Sequence, residues 1–144
     1  MAILTILTVP DEALLKVSKE VTEFDERLHT LLDDMTETLL RTGDAGLAAP
    51  QVGRLIRVFI INTGREVHEF VNPEIVEKSK PKLGLEGCLS IPKKRPVSVN
   101  RFQRIKVRFQ DRDGNYYEGE LKGFPAICFQ HEFDHLNGVL LPQE

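Results

Sequence analysis

The 144 residues predict an α+β fold in which mostly antiparallel sheet packs around a C-terminal helix, with a second, amphipathic helix near the N-terminus. Three observations carry this expectation. Apolar residues recur at helical spacing between residues 25 and 41. Segments rich in Val, Ile, Phe and Tyr follow without alternating with helices, and helical spacing returns only at residues 124–138. The length suits one catalytic domain over residues 1–144, with room for one core and not for two.

Each element has a local reason. "DEALLKVS" after Asp11 reads as a short helical piece. Asp25 is a good N-cap for a helix that sets Leu28, Leu31, Leu32, Met35 and Leu39 on one face and stops at Gly43. "RLIRVFIIN", "VHEFVNPEIVE", "RIKVRFQDRDGNYYEGEL" and the final "VLL" read as strands, with Asp113-Gly114 turning a hairpin. In "FPAICFQHEFDHLNG", Pro125 is acceptable in a first helical turn and Gly138 marks the stop.

Charge and cysteine usage narrow the function classes. Nineteen basic against twenty-two acidic residues give a net charge of −3, and "KKRP" at Lys93–Pro96 is the only short basic run. Direct nucleic-acid binding is therefore not expected. The apolar start "MAILTILTVP" lacks a charged leader and stops at Pro10-Asp11-Glu12, so neither export nor membrane insertion is expected and the protein reads as cytoplasmic. Cys88 and Cys128 are too few for a disulfide scaffold, although one bridge between them is the simplest structural alternative to metal binding.

The chemistry concentrates in "QHEFDH". On a helix, His131 and His135 lie one turn apart on one face and can aim at a common divalent metal, while Glu132 points aside, where it can serve water without being a ligand. Cys128 shares the face but sits seven residues from His135, about 10 Å along the axis, out of easy reach of a metal between the histidines. Cys88, in the Gly- and Pro-flanked setting "EGCLSIP", is the better third ligand, and two imidazoles plus a thiolate leave a fourth position open, as in catalytic sites. In "GLAAPQVG", small residues allow close backbone approach and Gln51 offers an amide donor; taken alone, the stretch reads as a tight loop.

"GLAAPQVG", "EGCLS" and "QHEFDH", in this order and behind the opening "ILTVPDEAL", closely resemble the signature motifs of the peptide deformylases over essentially the whole chain. The resemblance implies removal of the formyl group from the N-terminal formyl-methionine of newly made polypeptides. It implies one divalent metal on Cys88, His131 and His135, natively Fe2+, with Zn2+, Ni2+ or Co2+ able to substitute. Glu132 would carry the proton, while Gln51 and the Leu89 backbone N–H would hold the oxyanion. Ala45, Gly46 and Gly87 would border the peptide, and Phe124, Ile127 and Cys128 would wall the methionine pocket.

Two features depart from the family pattern. Asp44 stands where a glycine is usual, which predicts an altered peptide preference with the chemistry intact. The chain ends at "VLLPQE", where many bacterial members continue into a further helix that some use to dock on the ribosome, so the resemblance leaves ribosome contact open while docking by that route is not expected. Shorter members include phage-borne ones, which would work in a host's cytoplasm. A general metallopeptidase, which would usually take a carboxylate or a third histidine in place of Cys88, and a silent homologue that only binds peptide N-termini are the competing readings.

Overall fold

A computed structural model of the protein describes residues 2–8, 11–86 and 97–140. Five strands, β1 (Gly46–Ala48), β2 (Val58–Asn62), β3 (Val67–Glu86), β4 (Val97–Gln110) and β5 (Tyr116–Lys122), form one sheet in sequence order with every neighbouring pair antiparallel. Two helices, α1 (Glu26–Thr42) and α2 (Phe124–Leu136), accompany it. The expected α+β architecture is the one observed.

The sequence explains α1 closely. The Asp25 carboxylate accepts the Leu28 N–H at 3.2 Å, and Gly43, at φ 75°, ends the helix by donating its N–H to the Leu39 carbonyl. Its buried face carries Leu28, Leu31, Leu32, Met35 and Leu39.

β2 is the hinge of the packing. Its unbroken apolar run serves both sides of the sheet: Val58 and Ile60 join the α1 core, while Phe59 and Ile61 join the core beneath α2. On the α2 side, Phe59, Phe70 and Phe129 meet with ring centroids 4.9–5.3 Å apart, an arrangement that adds stability beyond area burial.

Three stretches differ from the sequence expectation. β1 lies inside "GLAAPQVG", read above as a loop. β3 continues well past Glu77 to Glu86, pairing with β4 through residues of low strand propensity. Register shifts between Val71 and Glu77 let the long ribbon bend. Asn72 sits there at φ 49°, tied by its side chain to the Val21 backbone and to Gln110. Val139 and Leu140, the described part of the expected final strand, are not extended pairing partners; Val139 N–H instead closes the end of α2 onto the Asp134 carbonyl. Lys93–Pro96 lies outside the described residues.

α2 is pinned at its middle and at its C-terminal end. Gln130 binds the Phe102 backbone of β4 twice, accepting its N–H at 2.8 Å and donating to its carbonyl at 2.6 Å. At the C-terminal end the Leu136 carbonyl accepts from Ser18 N–H at 2.8 Å and from the Arg57 guanidinium at 3.1 Å. Gly138, at φ 76°, passes so close to the Leu15 carbonyl that a Cβ would stand 2.5 Å from it. Among the described residues no helix is long and apolar enough to cross a membrane.

Candidate metal centre

A cleft of about 300 Å³ opens where α2, β1 and the end of β3 converge. Gln51, Glu86, His131 and Glu132 give its lining polar and ionisable groups, Ala45, Leu85, Phe124, Ile127 and Cys128 give it an apolar surface, and Asp44 and Gly46 complete it. The structure therefore gathers Gln51, Ala45, Gly46, Phe124, Ile127, Cys128, His131 and Glu132, all candidates from sequence, onto one cleft. Gly87, Cys88 and Leu89 lie outside the described residues.

His131 and His135 face each other with ring centroids 5.0 Å apart, His131 on the cleft and His135 behind it, 1% exposed. Burial, reinforced by the charges of His131 and Arg101, pushes His135 down to about 3, which keeps its imidazole in the neutral form a metal needs. The orientation of His131 follows from Glu86, whose Oε1 lies 2.8 Å from Nδ1. Burial would raise the Glu86 carboxyl, but hydrogen bonds and charge from His131 and Arg101 prevail and hold it at about 2. A carboxylate can only accept, so Nδ1 carries the hydrogen that points at Glu86, and in the neutral ring Nε2 keeps its lone pair for a ligand.

Arg101 completes this support. Its guanidinium bonds both Glu86 oxygens at 2.9 Å and reaches Asp134 on α2 at 2.5 Å, with its side chain only 6% exposed. Sequence reasoning missed Glu86, Arg101 and Asp134. The available signal was Asp134 itself, a charge on a largely buried helix, which requires a partner somewhere in the fold.

Glu132 is 5% exposed. Burial raises its carboxyl from 4.5 to about 7, against the pull of His131 and Arg101, so it can exchange a proton near neutrality. Its Oε1 has no hydrogen-bond partner among the described residues, and its Oε2 stands against Gly46, where a Cβ would come within 2.6 Å. Glycine is required here for close approach. Gly46→Ala is expected to fold but to lower kcat by about 100-fold by displacing the carboxylate, checked by kinetics beside a thermal melt.

Gln51 is held by a local device: its Oε1 accepts the Ala48 N–H at 2.9 Å within the turn Ala49–Val52, so the amide NH2 is its donor end on the cleft. Cys128 is free, and burial, with the nearby Glu132 and Glu86 charges, pushes its thiol up to about 12, in keeping with a wall residue and not a thiolate ligand. Among the described residues no three metal-ligating groups converge. Even so, a divalent ion suits what is present: two facing imidazoles, one neutralised by burial and one steered by a carboxylate, beside a buried carboxylate oxygen in need of a partner.

The sequence matches the polypeptide deformylase family over residues 3–144. A peptide deformylase of Thermotoga neapolitana is 47% identical over 132 residues, covering 91% of this chain and 80% of that protein. One of Chromobacterium violaceum is 48% identical over 97% of this chain and 85% of its own length. The crystal structure of peptide deformylase from Thermotoga maritima superposes with a TM-score of 0.94 at 44% identity, covering 97% of this chain and 95% of that one. The actinonin-bound class I type b enzyme of Acinetobacter baumannii gives 0.91 at 36% identity, covering 98% and 97%. With this likeness extending over nearly its whole length in both sequence and fold, the chain belongs to the polypeptide deformylase family.

Proposed function

We infer that the protein is a peptide deformylase, a hydrolase that removes the formyl group from N-terminal formyl-methionine of newly made polypeptides, working in the cytoplasm as one catalytic domain over residues 1–144. The observation that carries the reading is Glu132, a buried carboxyl poised near neutrality beside two facing histidines in a chain of this family.

His131, His135 and Cys88 would hold a divalent cation, with Fe2+ as the native ion and Zn2+, Ni2+ or Co2+ as substitutes. When bound, such an ion supplies Lewis acidity, making water a nucleophile at neutral pH and attracting the formyl oxygen.

The chain's own residues do the rest. Among the described residues the outer edge of β1 has no strand partner, so an extended peptide can lie along it with its methionine side chain against Ile127, Cys128 and Phe124. Glu132 takes a proton from the attacking water. The Gln51 NH2 and the Leu89 N–H donate to the formyl oxygen as charge grows there. Glu132 then delivers its proton to the departing nitrogen as the formyl C–N bond breaks, and the water oxygen leaves in formate.

The ligand set is tested by metal analysis. The protein is expected to carry one equivalent of metal, and Cys88→Ser and His135→Ala are each expected to lose most of it together with activity. Full metal content in Cys88→Ser would overturn the assignment. Cleavage of unformylated peptides with no formate release would favour a metallopeptidase instead.

A further inference from the structure

The outer rim of the cleft combines two chemistries that one kind of side chain satisfies together. Leu85 and Phe124 stand 74% and 61% exposed at its mouth, an apolar lip that nothing among the described residues covers. Asp44 lines the same cleft. Its backbone is fixed by its own N–H to Thr42 Oγ1 and by the neighbouring Ala45 carbonyl, which accepts from Asn62 N–H at 2.7 Å. Its carboxylate has no hydrogen bond or ion pair among the described residues and is exposed.

The other acidic groups on the cleft differ in kind. Glu86 is paired with Arg101 and hydrogen-bonded to His131, and Glu132 is buried. Asp44 is thus the uncompensated charge that faces solvent among the described lining residues. It lies two residues before Gly46, which touches Glu132, so at most about 7 Å of backbone, the span of a dipeptide, separates it from the glycine that borders the reacting carboxyl.

Building on the deformylase reading, we propose that Asp44, Leu85 and Phe124 make this enzyme selective for formyl-methionyl chains with lysine or arginine in one of the first two positions after the methionine. The aliphatic stem of such a residue lies on Leu85 and the Phe124 ring, and its cationic head meets Asp44. An acidic residue in the same place is disfavoured by like charge. The pairing is solvent-exposed, so the discrimination is modest, up to about fivefold per charge, and sensitive to salt.

The test is kcat/KM for three formyl-methionyl peptides that differ only after the methionine, carrying lysine, norleucine or glutamate, on the wild-type protein and on Asp44→Asn. Norleucine keeps the apolar stem without the charge. The wild type is expected to rank lysine above norleucine above glutamate, mainly through KM. Asp44→Asn should bring lysine and norleucine together, as should about 1 M salt, where the screening length is about 3 Å. Equal rates for lysine and norleucine in the wild type, or an unchanged lysine preference in Asp44→Asn, would overturn the proposal. Turnover of the norleucine peptide keeps the two claims separate: if it is hydrolysed without a lysine preference, only this inference fails, and if none of the three peptides releases formate, the deformylase reading fails.

Discussion

Glu132→Gln protein will fold, retain its metal and hydrolyse formyl-methionyl peptides about 100- to 10,000-fold more slowly than wild type. The substituted amide has nearly the same shape and occupies the same buried position beside Gly46, so packing around α2 should change little. What is lost is a group that can accept a proton and release it near pH 7, a capacity that burial confers by raising the carboxyl to about 7. His131 and His135 are untouched, so metal content separates loss of chemistry from loss of the site. A variant with normal metal and undiminished turnover would remove Glu132 from the mechanism.

Removing Arg101 should be the most damaging change away from the reacting groups. Arg101→Met leaves Glu86 buried with one partner fewer and breaks the tie to Asp134 on α2. Loss of one partner from a buried ion pair is expected to cost about 3–5 kcal/mol of stability. A second effect follows from His131, whose ring is steered by Glu86, and metal affinity is expected to fall about 10- to 100-fold.

The double variant Glu86→Met with Arg101→Met distinguishes these effects. With the stranded charge replaced by apolar volume, much of the stability should return, while the metal affinity stays low because His131 has lost its guide. Recovery of both would mean that the network only supports the fold. The pH dependence has a definite sign. Glu86 is held at about 2 against an ordinary 4.5, so its contribution is complete above about pH 4.5 and is lost as pH falls towards 2. Acid titration of the double variant should lack that step.

How far the sequence discloses this molecule depends on the range of the interactions. α1 and α2 were legible because caps, stops and apolar spacing are local: Asp25, Gly43, Pro125 and Gly138 stand where the reading put them. The hairpin at Asp113-Gly114 was equally local, with Asp111 accepting the N–H groups of Asp113 and Asn115 around it. β1 was hidden because its three small residues owe their strand conformation to β2, and the far half of β3 because "EKSKPKLG" is extended by pairing with β4 and not by propensity.

The site divides the same way. His131, Glu132 and His135 are spaced by helix geometry and could be found within one short stretch. The Glu86, Arg101 and Asp134 network joins residues 15 and 33 positions apart, with no period for a pattern to reveal. Asp44 was visible as a departure from the family, but the apolar lip beside it, Leu85 with Phe124, emerged only once β3 and α2 were brought together.

The central claim, that this cleft removes a formyl group and does so through Glu132, is tested most directly by measuring formate released from a formyl-methionyl peptide by the metal-loaded protein, with the unformylated peptide as control. The account predicts one formate and one free N-terminal methionine per peptide consumed, no cleavage of the control, and near-complete loss with Glu132→Gln. Absence of formate from a protein shown to contain its metal, or cleavage of internal bonds in the control, would contradict it.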